Sequence, residues 1–296
     1  MDHLELVKTM TVRRLILWVF LGLGVVLSGV LACPVLGGAP LMRVGAGIAV
    51  AAGFWFFLDR LLRAREFDKN SLPARPEYFG FDLYNHPKHL EELGGRNLKS
   101  LTFVVFDTET TGLRPSHGDE IVSIAGVRII DGEIRDSEPF TRLVNPGRAI
   151  PKASIKFHGI TDDMVRQEDG VKEVLPAFRD FIGEAVLVAH NAAFDMKFLK
   201  LKEAQTGAVF DHLVLDSLLL SVFLESESRN HSLDAIAERL GVEVEGRHTA
   251  LGDSLVTAGV FLRMLDMLET RGIRTLGQAI EASNRISHIR ELQKQF

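Results

Sequence analysis

The chain has 296 residues, a formal net charge of −5 and a single cysteine, Cys33. That length holds one large domain or two small ones with a substantial core, and one cysteine excludes both an intramolecular disulfide framework and a cysteine-rich zinc module. From residue 60 onward 30 lysines and arginines face 36 aspartates and glutamates, which excludes wholesale coating of a polyanion and leaves only local basic contacts.

Hydropathy divides the chain, because residues 15–58 carry one charge, Arg43. Residues 15–35 are 21 residues without a charge, enough to cross a hydrocarbon core of about 30 Å as a helix. Residues 44–58 reach spanning length when 41–43 and 59–62 take up the interface, with Arg43 snorkelling and Trp55 and Phe56 near the boundary. Gly45, Ala49 and Gly53 form a small-residue stripe that lets a second helix pack closely on a first. Lys8, Arg13 and Arg14 precede the first segment, and Arg60, Arg63, Arg65, Lys69 and Arg75 follow the second. By the positive-inside bias both ends are cytoplasmic. The expectation is a membrane hairpin over residues 1–62, with helices at about 15–35 and 41–62, in a multi-pass protein of the inner, cytoplasmic membrane. Its basic flank would also contact anionic membrane lipid. A cleavable signal sequence with a lipoprotein-like "VLAC" site is the competing reading; Pro34 directly after Cys33 and the second apolar segment fit it poorly.

Residues 63–99 are polar, with Pro73, Pro76, Pro87 and a Gly94-Gly95 pair, and read as a linker with one short helix at "HPKHLEEL". A soluble domain follows over residues 100–272. "LTFVVFD" is a strand; "EIVSIAGVRIIDGEI" is a second that turns at Asp131-Gly132 towards a third, "FTRLVNP", completing an antiparallel meander. "VKEVLPAFRDFIG" has helical apolar spacing, and "AVLVAHN" is a short strand buried on both faces. A helix over "AFDMKFLKLKEAQTG", an apolar stretch "VFDHLVLDSLLLSVFL" and a helix opened by Ser232 and closed by Gly241 come next. A long amphipathic helix then runs from about Thr249 to Thr270. The order predicts an α/β domain with a mixed sheet flanked by helices. Residues 273–296 read as a solvated C-terminal helical extension.

Three clusters carry the chemistry. Asp107 and Glu109 lie two apart on a strand end, so they project to one side while Thr108 faces away. Two such carboxylates are ion-paired or metal-bound, since burying them otherwise is costly. In "LVAHNAAFD" a buried strand ends at His190-Asn191 and Asp195 falls one turn into the next helix, a position an acid also favours for the helix dipole alone. In "RHTALGDS", His248 and Asp253 are five apart and cannot share a helix face. His248 then sits at or before the first turn, reaching over the site, with Asp253 inside it; a surface histidine and a solvated aspartate are the bland alternatives.

Taken in order, "FDTETTGL", "IKFHGIT", "LVAHNAAFD" and "RHTALGDS" resemble the motifs of the exonuclease superfamily that includes the proofreading epsilon subunit of bacterial DNA polymerase III, the DEDDh group with an RNase H-like fold. The resemblance covers about residues 101–267 and leaves out the hairpin and linker. It implies that Asp107, Glu109, Asp195 and Asp253 hold two divalent ions, Mg²⁺ or Mn²⁺, in keeping with clustered hard oxygen ligands. It implies that His248 takes the proton of the attacking water, and that nucleoside monophosphates leave the 3′ end of DNA or RNA, single-stranded or frayed. It further implies that Thr110, Thr111 and Gly112, the His158, Gly159 and Ile160 loop, and Asn191 contact the terminal nucleotide. A non-catalytic membrane-anchored nucleic-acid or polymerase-binding module, and an RNA-trimming exoribonuclease, are the alternatives. A polymerase or other protein partner is left unspecified.

Overall fold

The computed structural model describes residues 87–285. The expected hairpin, the linker up to residue 86 and residues 286–296 lie outside the described residues. Among the described residues no helix is long and apolar enough to cross a membrane.

Three consecutive antiparallel strands open the domain: β1 (Phe103–Thr110), β2 (Ile121–Ile130) and β3 (Glu133–Leu143). The β2–β3 reversal uses Asp131 at φ 54° and Gly132 at φ 77°, the left-handed pair that a two-residue hairpin turn requires and an Asp-Gly dipeptide supplies. β3 begins at Glu133, closer to the turn than the apolar stretch from Phe140 suggests, because its first half is charged and solvated. Its register jumps from Gly126 opposite Phe140 to Arg128 opposite Arg135, a bulge on the sheet's edge. Bulges, charges and proline, here Pro139, blunt an edge strand against pairing with other chains.

β4 (Val186–Ala189) then joins β1 in parallel and β5 (Val214–Asp216) joins β4 in parallel, giving the order β3-β2-β1-β4-β5. Nine helices complete the described fold: α1 (Pro87–Leu93), α2 (Lys152–His158), α3 (Asp162–Val165), α4 (Val171–Ile182), α5 (Ala192–Thr206), α6 (Ser217–Leu224), α7 (Leu233–Leu240), α8 (Ala250–Thr270) and α9 (Leu276–Asn284). The α7 cap follows the sequence signals: Ser232 Oγ accepts the Ala235 N–H, and Gly241 closes the helix at φ 64°.

The two-residue period of β1 decides what each face meets. Phe103 and Val105 belong to the cluster that includes Phe261 and Met264 of α8, and the Phe103 and Phe261 rings meet edge to face at 5.0 Å. Phe106 points the other way, against Phe178 of α4 at 5.7 Å. Continuing the alternation, Asp107 and Glu109 follow Phe103 and Val105 towards α8, and Thr108 follows Phe106.

The C-terminal stretch departs from the solvated helix expected of it. Leu276, Ala279 and Ile280 of α9 are buried in the same cluster as Leu98 and Phe261. Three backbone bonds clasp it to the chain ahead of β1: Leu98 N–H to Arg274 O at 2.9 Å, Leu276 N–H to Arg96 O at 3.1 Å and Gly277 N–H to Gly94 O at 2.8 Å.

Candidate active site

At the carboxyl ends of β1 and β4 the chain leaves in two directions, β1 into a loop and β4 into α5, which makes a crevice outside the sheet. The β1 loop is fastened by Asp119. Thr111 Oγ1 donates to Asp119 Oδ1 at 3.2 Å and the Arg114 N–H donates to Oδ2 at 3.0 Å. Residue 112 must be glycine for this, since a Cβ there would lie 2.3 Å from the Asp119 carboxylate. Thr110 Oγ1 donates to Gly112 O at 2.7 Å, and Ser154 of α2 donates to Thr111 O at 2.7 Å, docking α2 on the loop.

The crevice has a volume of about 520 Å³ and is lined by Asp107, Glu109 and Asp253, with Thr110, Gly112, Phe157, His158, His190, Asn191 and Arg247 among its other walls. Oxygens of Asp107, Glu109 and Asp253 all lie within 4.8 Å of one another, and all three residues are buried. Among the described residues Arg247 is the only lysine or arginine on the wall, so one cation faces three clustered carboxylates. Such a set of hard oxygen donors fits a divalent ion of the Mg²⁺ or Mn²⁺ type.

Asp195 lies outside this trio. It is fully buried in the first turn of α5, where its Oδ1 accepts the Thr108 N–H at 3.1 Å and Thr108 Oγ1 at 2.6 Å. The residue expected to face away from the two strand acids, Thr108, is thus the one that holds Asp195.

Asn191, at φ 63°, makes the sharp turn from β4 into α5. Asp216, which sequence reasoning did not single out, holds that turn: its Oδ1 accepts the Asn191 N–H at 3.0 Å and the Leu218 N–H at 2.9 Å, capping α6. An aspartate just before a serine and a helical apolar run was the available signal. Burial pushes the Asp216 carboxyl up to about 7, against backbone N–H donors of Leu218, Asn191, Leu219 and Ala192 that lower it. With a folded pKa above the unfolded value of about 3.9, the native state binds the extra proton, and stability falls as pH rises from about 4 to about 7. Thermal unfolding in EDTA of Asp216→Asn and the parent should therefore show a gap that shifts in favour of the variant across that window and levels off above it. A gap independent of pH would refute the shift.

His158 caps the carboxyl end of α2, where its Nδ1 accepts the Ile160 N–H at 3.0 Å; burial pushes its pKa down. Gly159, at φ 77°, closes the helix, and Ile160 packs into a small satellite core with Val122, Ile150 and Val165. Of this loop only His158 reaches the crevice wall.

The loop ahead of α8 carries the last cluster. Gly246 at φ 64° and His248 at φ 63° bracket Arg247. The His248 N–H donates to Asp253 Oδ1 at 3.3 Å, and Thr249 Oγ1 donates to Gly246 O at 2.6 Å while accepting the Gly252 N–H at 3.1 Å. These bonds offset a left-handed residue that costs on the order of 1–3 kcal/mol. The His248 ring itself is exposed, 4.5 Å from the ring of Phe157 at the crevice mouth.

A family model described as "Exonuclease" matches residues 104–261. The chain belongs to the exonuclease family. The DNA polymerase III subunit epsilon-like protein of Rhodobacter capsulatus is 53% identical over 208 residues, 70% of this chain and 29% of that protein. The PolC-type DNA polymerase III of Thermotoga petrophila is 40% identical over 183 residues, 62% of this chain and 13% of that protein. The chain thus spans under a third of the length of either relative. Among solved structures, the nuclease domain of 3′hExo, a DEDDh family member bound to rAMP, superposes with a TM-score of 0.51 at 22% identity, covering 58% of this chain and 94% of that one. That likeness shows the shared α/β, RNase H-like fold. The exonuclease chemistry of this family uses two divalent metal ions, and the buried trio supplies ligands suited to them.

The exonuclease domain depends on close packing behind the His248 loop. A Cβ at Gly252 would come 2.0 Å from the Gly246 carbonyl, so Gly252→Ala must push the loop off α8. The expected loss of stability is about 1–3 kcal/mol, read by denaturant titration; an unchanged midpoint would show that the loop packs otherwise.

Proposed function

We propose that this chain is a 3′–5′ exonuclease that removes nucleoside monophosphates from single-stranded or frayed ends of DNA, held at the cytoplasmic face of the inner membrane by its N-terminal hairpin. The convergence of Asp107, Glu109 and Asp253 within 4.8 Å on the crevice wall carries this reading. Asp195, steadied by Thr108, is the fourth ligand. When bound, the two ions lower the pKa of the attacking water and stabilise the departing 3′ oxygen. The chain's residues do the rest. His248 takes the proton of that water at a ring nitrogen as its loop bends inward from the mouth. Thr110, Thr111 and Gly112 offer a fixed loop edge for the terminal nucleotide, with His158 and Asn191 opposite. Tethering rests on the uncharged run of residues 15–35 and the basic flanks, which support spanning and anionic-lipid contact.

The full-length chain in detergent, given Mg²⁺ or Mn²⁺, should shorten 5′-labelled oligonucleotides stepwise and release a 3′ label at once as a mononucleotide. Internal fragments, or release of a 5′ label first, would overturn the direction. Tight binding without turnover would favour a docking module, and faster loss of RNA than of DNA would reassign the substrate, since ribose preference turns on contacts to the 2′-hydroxyl. Recovery of the chain in the soluble fraction after cell lysis would overturn the tether.

A further inference from the structure

Among the described residues both hydrogen bonds to the Asp253 carboxylate fall on one oxygen: Oδ1 accepts from Arg247 Nη1 and, at 3.3 Å, from the His248 N–H. Arg247 is gripped from its other side by Asp234 in the first turn of α7, with Nε to Oδ1 at 2.5 Å and Nη2 to Oδ2 at 3.3 Å. A planar guanidinium held by such a fork has little freedom to turn. The two acids differ in setting, since the Asp234 side chain is 58% exposed and that of Asp253 is 8% exposed. Arg247 opens the "RHTALGDS" stretch but is neither its acid nor its histidine, and Asp234 lies outside every motif.

We infer that Arg247 is a positioning residue, clamped by Asp234, that takes up Oδ1 of Asp253 and so presents Oδ2 as a single-oxygen ligand towards Asp107 and Glu109. The same Oδ1 receives the His248 N–H, so one carboxylate sets both the metal site and the loop that bears the general base. This rests on the metal-dependent nuclease reading above. The opposite role, a cation that fills the site until a metal displaces it, fits the geometry poorly. Asp234 neutralises the guanidinium where it stands, so an incoming ion faces a net-neutral pair, and the bidentate grip holds Arg247 at the rim. Partners that orient a metal ligand from behind act in this way, and their loss weakens metal affinity.

The test measures Mn²⁺ affinity of the full-length chain in detergent by the electron paramagnetic resonance signal of free Mn²⁺, with unfolding in EDTA as a check on the fold. Arg247→Ala should weaken binding about 10- to 100-fold. Arg247→Lys, which keeps the charge and loses the fork, should do nearly the same and carries the test if the alanine variant does not fold. Asp234→Asn should weaken binding as well, and Asp234→Asn with Arg247→Ala should be no weaker than Arg247→Ala alone, because Asp234 acts through the arginine. Unchanged or tighter Mn²⁺ binding in both Arg247 variants, or penalties that add in the double variant, would overturn the inference alone. A parent chain that binds no Mn²⁺ would overturn the nuclease reading with it.

Discussion

Asp107→Ala should stop metal-dependent strand shortening, with the rate in Mg²⁺ or Mn²⁺ falling by at least about 10³-fold. Losing one carboxylate of the trio should remove several kcal/mol of transition-state charge stabilisation, and each 1.36 kcal/mol is about a factor of ten in rate. The fold should not suffer. Asp107 lies within a strand whose backbone pairs with Ala125 of β2 whatever the side chain, and deleting one of three clustered carboxylates relieves repulsion in the metal-free protein. The thermal midpoint in EDTA should therefore stay level or rise. A variant that keeps the parent rate would remove Asp107 from the mechanism, and one that unfolds is answered by Asp107→Asn, which keeps shape and loses charge.

His248→Ala gives the second large effect and separates itself from the first by what it spares. Loss of a general base typically lowers turnover about 10²- to 10⁴-fold, while Mn²⁺ affinity should match the parent, because the exposed ring packs on Phe157 and lies off the carboxylate cluster. Glycine at 248 sharpens the comparison. The backbone there holds φ 63°, which glycine adopts without the penalty other residues carry, so His248→Gly should lose turnover as fully as alanine with no loss of stability. If either variant cleaves at the parent rate, the proton is taken elsewhere.

The residues that sequence located well are those whose signals are local. An apolar strand that ends in two acids, Ser232 and Gly241 bracketing a helix, and Asp131-Gly132 between strands each declare themselves within a few positions. What was not legible depends on distance across the fold. The spacing of "HNAAFD" puts Asp195 in the first turn of α5, but only the fold brings its carboxylate to Thr108, 87 residues back on β1. Arg247 stands in "RHTALGDS" with no local sign of a role; its meaning comes from Asp234, thirteen residues back on another helix. Helix α9 is a different case. Leu276, Ala279, Ile280 and Ser283 repeat at helical spacing and are all buried, so the pattern is present in a segment too short and too polar further on to declare what covers it.

The backbone clasp between residues 94–98 and 274–277 also gives the domain a mechanical property. Chain entering at Pro87 meets three hydrogen bonds to the α9 segment and the burial of Leu98 before it reaches Phe103. A pull from the amino-terminal side loads that clasp first and is passed to α9. The strand that holds Asp107 and Glu109 lies behind that clasp, so the spacing of the two carboxylates is disturbed only once the clasp gives way.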